Sequence, residues 1–94
     1  MKLTWDEVKR QITLEERGLD FTSAAEVFDA SNFNYTTEDV RYDYGEKRFI
    51  SFGFINNRLC VVVWTPRGKD RHIISVRKAN DREQKDFEIT IGSR

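Results

Sequence analysis

The stretch Leu59-Cys60-Val61-Val62-Val63-Trp64-Thr65 is a run of residues without a charged side chain. A short apolar run rich in β-branched residues is typical of a strand that is buried on both faces of a sheet. Cys60, inside the run, is expected to pack as a small apolar residue. The run therefore predicts the central strand of the fold.

Turn sequences flank this central strand on both sides. Asn56-Asn57 tolerates positive φ and predicts a hairpin, and residues 46–54 before it alternate in the manner of a strand. Residues 66–70 predict a second turn, and residues 71–78 predict a third strand. Residues 30–44 mix Ser, Asn and Thr with aromatic side chains, which leaves room for a short edge strand. The expected sheet is an antiparallel meander of three or four strands.

Two helices are expected before the sheet. Thr4-Trp5-Asp6-Glu7 is a capping-box pattern that predicts the start of the first helix, and Gly18 is its expected end. A second, shorter helix is expected from about Thr22 to Asp29. The apolar stripe of the first helix, which should face the core, is Trp5, Val8 and Ile12.

A C-terminal helix is predicted after the last strand. Asn80 and Glu83 have the spacing of an N-terminal cap, and Phe87, one turn later, is expected to dock this helix on the sheet. With no repeat and no linker in the sequence, residues 1–94 are expected to form one domain. The predicted class is α+β, with two N-terminal helices, a three- to four-stranded antiparallel sheet and a C-terminal helix.

The composition limits the classes of function. The chain has 94 residues, of which 38% are apolar and 34% charged, as in one small soluble domain. One cysteine, Cys60, and one histidine, His72, argue against a disulfide and a structural zinc site. No apolar run approaches the roughly 20 residues that cross a bilayer. We expect a cytoplasmic protein without a membrane partner, a metal ion or a cofactor.

The charges are unevenly distributed although the net charge is zero. Residues 1–46 carry 5 Lys and Arg against 11 Asp and Glu, and residues 47–94 carry 11 against 5. Such asymmetry indicates that the basic half meets a polyanion, or that the two halves pair within the folded monomer.

The basic half offers what metal-free RNA cleavage needs. RNA cleaves itself when its 2′-hydroxyl is deprotonated and aimed at the adjacent phosphate, so a protein has only to position it, stabilise charge and move protons. Arg48, Arg67 and Arg77 are candidates for the phosphate charge. Glu46 and His72 are candidates for proton transfer, and the remaining candidate RNA contacts are Lys47, Lys69, Arg71 and Lys78. No phosphate-binding loop, HExxH or GxSxG motif is present.

The residues resemble the BrnT toxins, which are similar to the RelE group of ribonuclease toxins. The resemblance covers nearly the whole chain and is strongest over residues 46–83. The matching pieces are Trp5-Asp6 with Lys9, Gly18 with Phe21 and Ala25, Val27-Phe28, Glu46-x-Arg48 with Gly53, Val61-Val62-Val63, Thr65-x-Arg67-Gly68, Ile73-Ile74-Ser75-x-Arg77-Lys78-Ala79, and Glu83.

The resemblance implies a toxin of a type II toxin–antitoxin pair that cleaves RNA without a metal. It also implies a BrnA-like antitoxin of the ribbon-helix-helix kind, and promoter DNA bound only through the toxin–antitoxin complex. The residues that it assigns to the catalytic or RNA-binding surface are Glu46, Arg48, Arg67 and Arg77.

The sequence departs from the family pattern at two places. Glu16-Arg17-Gly18 stands where the family usually has Lys-His-Gly, and His72 stands where the family tends to have Arg before Ile-Ile-Ser. Arg71 comes one place earlier, and neighbouring strand residues face opposite sides. Two alternatives to an active ribonuclease stay open, an inactive homologue that only binds an antitoxin and an unrelated α+β adaptor. Three tyrosines are expected either to stack RNA bases or to serve as core and rim residues, namely Tyr35, Tyr42 and Tyr44.

Overall fold

The structure, a computed structural model, describes residues 1–92. Five strands form a single sheet in the order β1-β5-β4-β3-β2. Three α-helices and one 3₁₀ turn, Phe21–Ser23, accompany it. The elements in chain order are β1 (Leu3–Trp5), α1 (Glu7–Arg17), α2 (Ala24–Val27), β2 (Asn34–Glu38), β3 (Phe49–Ile55), β4 (Arg58–Arg67), β5 (Asp70–Lys78) and α3 (Asp81–Gly92).

The α+β class is confirmed, but the expected sheet of three to four antiparallel strands is wrong in two respects, because the sheet has a fifth strand, β1, and is not wholly antiparallel. The sheet is mixed, because β1 pairs with β5 in parallel while the other pairs are antiparallel. Leu3 lies opposite Arg71, and Trp5 lies opposite Ile73. This pairing covers the edge of β5, and Leu3 and Trp5 are partly buried against the core.

The N-terminal helices therefore differ from the prediction. The cap of α1 is Asp6, not Thr4, and its carboxylate accepts a hydrogen bond from the Lys9 N–H at 3.1 Å. Gly18 ends α1 as predicted, with φ 67° and its N–H donating to the Leu14 carbonyl. The second helix is shorter than expected, because Asp20 caps a 3₁₀ turn by accepting from the Thr22 N–H.

The predicted apolar stripe of α1 is also wrong. Val8 is 68% exposed and Ile12 is 47% exposed, and α1 contains no buried residue. The side of α1 that faces the protein is polar. Arg10 forms ion pairs with Glu7 and Asp20, and Arg17 donates to the Val76 carbonyl on β5 at 3.0 Å. These polar contacts tie α1 to the rest of the protein, and the apolar side chains of Val8 and Ile12 are left in solvent.

The central strand β4 is buried on both faces, as predicted. One set of its residues joins the cluster under α1 and α2, which consists of Phe21, Ala24, Val27, Ile55, Cys60, Val62, Trp64, Ile73 and Val76. The alternate set joins the cluster under α3, which consists of Leu59, Val61, Ala79 and Phe87. The second side of the sheet, called the α3 face below, carries the candidate site.

The β3–β4 hairpin, the edge strand and the cap of α3 are formed where the sequence predicts them. Asn56 and Asn57 have φ 50° and 64° and form the β3–β4 turn. The edge strand expected within 30–44 is β2, which pairs antiparallel with β3. Asn80 and Glu83 form a reciprocal capping box at the start of α3, and Phe87 docks this helix. No helix within residues 1–92 is long and apolar enough to cross a bilayer.

A β-bulge in β5 sets which side chains face the candidate site. Val63 lies opposite Ser75, whereas the next residue, Trp64, lies opposite Ile73. The extra residue, Ile74, shifts the alternation, so that His72 lies opposite Thr65 and shares the α3 face with it.

Candidate functional site

The carboxylate of Glu46 lies between two guanidinium groups at one end of the α3 face. The Nε of Arg48 is 3.4 Å from one carboxylate oxygen, and Nη2 of Arg67 is 3.9 Å from the other. Glu46 and Arg48 precede β3, while Arg67 ends β4. All three side chains retain solvent contact, with 28–56% of their surface exposed. The arrangement presents two cations and one anion to solvent at the edge of the sheet.

A buried threonine holds the 46–48 segment against β4. The Oγ1 of Thr65 donates a 2.6 Å hydrogen bond to the Lys47 carbonyl, and Thr65 is 1% exposed. Because the backbone of Lys47 is fixed, Glu46 and Arg48 are fixed on either side of it. The Lys47 side chain itself is exposed.

His72 lies on the same face as this group, opposite Thr65 in the strand pairing. Its Nδ1 is 2.8 Å from the hydroxyl oxygen of Thr4 on β1. Burial is the first cause that lowers the pKa of His72, and the charge of Arg67 lowers it further, while the charge of Glu46 opposes this. The shift favours the neutral imidazole, and its electrostatic neighbours include both Arg67 and Glu46.

A buried aspartate organises the loop that leads to Glu46. The Asp39 carboxylate accepts hydrogen bonds from the backbone and guanidinium of Arg41 and from the Tyr44 hydroxyl. Arg41 is the main cause that holds the pKa of Asp39 well below its usual range. The Asp39 N–H also donates to the Arg48 carbonyl at 2.8 Å. The guanidinium carbon of Arg48 is 4.0 Å from the centre of the Tyr44 ring, which is a cation–π contact.

Arg77 is on the same face but is engaged elsewhere. Its two terminal nitrogens each donate to one carboxylate oxygen of Glu83 at 2.8 Å. Arg77 lies opposite Val61, and His72 lies opposite Thr65. About four residues of β4, or roughly 13 Å, therefore separate Arg77 from His72 along the sheet. The structure therefore does not bring Arg77 into contact with Glu46 or Arg67.

The other sequence-predicted RNA contacts are dispersed. Arg71 points to the opposite side of the sheet, where its guanidinium carbon lies 3.7 Å from the Phe28 ring centre and 4.4 Å from that of Trp64. Lys78 is exposed and lines a hollow beside Gly18. Lys69 is exposed in the β4–β5 turn, close in sequence to Arg67.

Thr4 and Asp39 are residues of this site that sequence reasoning missed as site residues, whereas Tyr44 is predicted only to stack bases or to take a core or rim position. Thr4 carried the signal of a helix cap, and Asp39 lies in a segment that is expected to contain only turns and an edge strand. The Thr4 contact with His72 joins residues that are 68 positions apart, so no local pattern could have pointed to it. The contacts of Asp39 with Arg41 and Tyr44 lie within one loop and depend on how that loop folds. Within residues 1–92, no three His, Cys, Asp or Glu side chains come together in a way that could hold a metal ion.

The arrangement is suited to chemistry at a phosphate. Two guanidinium groups can stabilise negative charge on phosphoryl oxygens, and a neutral imidazole and a carboxylate nearby can carry protons.

Comparison with protein families gives one match. The model of the family described as "Ribonuclease toxin, BrnT, of type II toxin-antitoxin system" matches residues 5–83. The matched segment includes every candidate residue named above except Thr4. Comparisons with curated proteins and with solved structures find no match.

Proposed function

Because the chain belongs to the BrnT family of ribonuclease toxins of type II toxin–antitoxin systems, we propose that it is an endoribonuclease that needs no metal ion. The observation that carries this proposal is the group formed by Glu46, Arg48, Arg67 and His72 on the α3 face. These residues supply positive charge and proton carriers without any other group. Cleavage of cellular RNA at this site would inhibit translation and growth.

The reaction proposed is transesterification by the RNA's own 2′-hydroxyl. The 2′-oxygen attacks the adjacent phosphorus as the bond from phosphorus to the 5′-oxygen breaks, which leaves a 2′,3′-cyclic phosphate and a 5′-hydroxyl. His72 accepts the proton of the 2′-hydroxyl through Nε2. The leaving 5′-oxygen takes its proton from solvent, because in-line attack places the two oxygens on opposite sides of the phosphorus, and His72 later loses its proton to solvent. Arg48 and Arg67 stabilise the charge that builds up on the phosphoryl oxygens, and Glu46 orients both guanidinium groups.

Thr4 supports this role of His72 as a positioning residue. When Nδ1 carries the proton and donates a hydrogen bond to the Thr4 hydroxyl, the lone pair of Nε2 is free to act as a base. The lowered pKa of His72 favours the same neutral form. Arg77 is assigned a different task, contact with a neighbouring phosphate, because of its separation from His72 along β4.

We further propose an antitoxin partner of the BrnA-like, ribbon-helix-helix kind, and promoter binding only through the complex of the two proteins. A type II toxin requires a protein antitoxin, and this expectation rests on the family. Coexpression with the cognate antitoxin should restore growth, and the purified toxin alone should not retard promoter DNA in a gel.

A second candidate function is an inactive homologue that only holds an antitoxin. Two observations favour it: Arg77 is neutralised by Glu83, and Arg71 is packed against Phe28 away from the site. This candidate predicts tight binding of antitoxin by a protein that does not cleave RNA.

The test is cleavage of a labelled single-stranded RNA in the presence of chelator. Wild-type protein is compared with Arg67→Ala and with Lys85→Ala, which removes an exposed cation from the outer side of α3. We expect cyclic phosphate ends from the wild type and from Lys85→Ala, and at least a 100-fold slower reaction from Arg67→Ala. Equal rates for all three proteins would exclude Arg67 from the site, and activity that the chelator abolishes would contradict the metal-free mechanism.

A further inference from the structure

The loop before Glu46 presents an exposed aromatic side chain next to the candidate site. Tyr42 is 69% exposed, although tyrosine rings usually bury much of their surface. Its ring makes an edge contact with Tyr44 at 5.8 Å between centres, and Tyr44 in turn is covered by Arg48. Tyr42 therefore contacts Tyr44, and Tyr44 contacts Arg48 of the candidate site.

The exposure of Tyr42 is built into the loop. Asp39 has only 2% of its side chain exposed, and its bonds to Arg41 and to the Tyr44 hydroxyl anchor the loop on both sides of Tyr42. Gly45 adds a tight turn, with φ 72° and its N–H donating to the Asp43 carboxylate at 2.9 Å. An aromatic ring that is held in solvent by an ordered loop loses little conformational entropy when it binds a partner.

We propose that Tyr42 is the stacking platform for an unpaired nucleobase of the RNA, one that flanks the phosphate held by Arg48 and Arg67. This inference rests on the proposed ribonuclease function and names a substrate contact for it. Stacking on aromatic rings is the usual way in which proteins hold single-stranded RNA, and it requires no particular base. The platform thus predicts a preference for single-stranded over double-stranded RNA.

The charges around the platform are mixed, and the cations on its candidate-site side favour RNA over a protein partner. The Arg41 guanidinium lies 5.9 Å from the centre of the Tyr42 ring but is paired with Asp39. An acidic residue, Asp43, follows Tyr42 directly. Lys47 and Arg48 follow within six residues, on the side of the candidate site. Stacking of a base on Tyr42 brings the neighbouring phosphates towards Lys47 and Arg48, so that one strand of RNA can use both the ring and the charges.

The experiment compares four proteins on one single-stranded RNA, with binding by fluorescence anisotropy and cleavage kinetics as readouts. Tyr42→Leu removes the ring, Tyr42→Phe keeps it, and Val40→Ala alters another exposed apolar side chain of the same loop, 76% exposed. We expect Tyr42→Leu to raise KM and the Kd for RNA about 5- to 150-fold, the range measured for loss of one stacked base. Its kcat should stay unchanged, because stacking acts equally in the ground state and the transition state. Tyr42→Phe and Val40→Ala should behave as the wild type.

A second arm uses the same RNA with one base at a time removed from its ribose. At one position next to the cleavage site, removal of the base should weaken RNA binding by the wild type. It should not change RNA binding by Tyr42→Leu, because the stacking contact is already lost in that variant. Equal KM and Kd for Tyr42→Leu and the wild type would overturn the platform while the ribonuclease proposal stands. A Tyr42→Leu protein that binds RNA normally but loses its antitoxin would overturn it in favour of a protein contact. A wild type that neither binds nor cleaves RNA would overturn both proposals.

Discussion

The hydroxyl oxygen of Thr4 lies 2.8 Å from Nδ1 of His72, although 68 positions separate the two residues in the chain. They face each other because β1 and β5 are parallel neighbours, with Thr4 opposite His72 in the register. The contact orients the only histidine of the protein at the candidate site. This relationship depends on a pairing between the two ends of the chain.

Replacement of Thr4 with valine should reduce kcat about 2- to 10-fold, because the imidazole loses a hydrogen bond worth about 0.5–1.5 kcal/mol that selects its tautomer. Single-turnover cleavage at several pH values measures this effect. Thr4→Ser, which keeps the hydroxyl, is the matched control and should retain the wild-type profile. An unchanged kcat in Thr4→Val would remove Thr4 from the mechanism.

The titration of His72 can be followed directly by NMR because it is the only histidine. We expect its pKa to lie below the usual value of about 6.5, for the reasons of burial and the charge of Arg67. Arg67→Gln should raise the pKa, and Glu46→Gln should lower it further. An unchanged pKa of His72 in both variants would show that neither charge faces the imidazole.

The same shift predicts a pH dependence of stability. Between the folded-state pKa and about 6.5, the unfolded chain binds more protons at His72 than the folded protein does. The contribution of His72 to the free energy of unfolding is therefore complete above about pH 6.5, and it is lost as the pH falls through the folded-state pKa. Urea unfolding at pH 7.5 and pH 5 should show this decrease, and His72→Gln should reduce it.

Asp39→Asn should loosen the loop of residues 39–48, since the carboxylate anchors Arg41 and Tyr44 in its charged form. The folded-state pKa of Asp39 is depressed, so this stabilisation is present above about pH 4 and is lost as the pH falls further. Hydrogen exchange should accelerate in the loop of the variant. Glu38→Gln, at an exposed position on β2, is the control, and equal exchange in both variants would contradict the anchoring role.

Salt should weaken RNA binding in proportion to the phosphates contacted. With about four cations in contact, the plot of log affinity for single-stranded RNA against log salt should have a slope near −3, from about 0.7 per phosphate. Arg67→Ala should make the slope less steep by about 0.7, while Lys85→Ala should leave it unchanged. A slope near zero for the wild type would be incompatible with a basic RNA-binding face.

Gly53→Ala should destabilise the fold by about 1–3 kcal/mol, because the added methyl group would overpack the core. A Cβ at this position would stand 2.8 Å from Cγ1 of Val27, and Val27 is completely buried. Gly92→Ala, where no atom lies within 4 Å, is the matched control and should not lower the melting temperature. Equal melting temperatures for the two variants would mean that α2 moves away without cost.

The sequence predicted the β3–β4 hairpin, β4 itself and the start of α3 because each has a local signal. Asn56 and Asn57 accept the positive φ of the turn, and the uninterrupted apolar run of β4 requires burial on both faces. The first helix was misplaced for a related reason. The capping signal at Thr4 is genuine as a pattern, but the backbone there gains more from pairing with β5, and Asp6 caps α1 instead.

The candidate site was predicted in its residue types and only in part in its grouping. Glu46, Arg48, Arg67 and His72 lie together because the ends of β3, β4 and β5 meet at one edge of the sheet. The bulge at Ile74 could not be read from the sequence, and it determines that His72 faces this edge.

The amino-acid sequence by itself determined the family, the α+β class, the central strand and the types of residue available for RNA chemistry, since these depend on local patterns and on composition. Only the tertiary structure decided that Thr4 orients His72, that Glu83 binds Arg77 and that α1 turns an apolar side to solvent. Contacts between distant segments depend on competition among alternative pairings for the same edge or charge. The secondary-structure propensity of a short segment does not include that competition, so the segment's own sequence cannot predict its outcome.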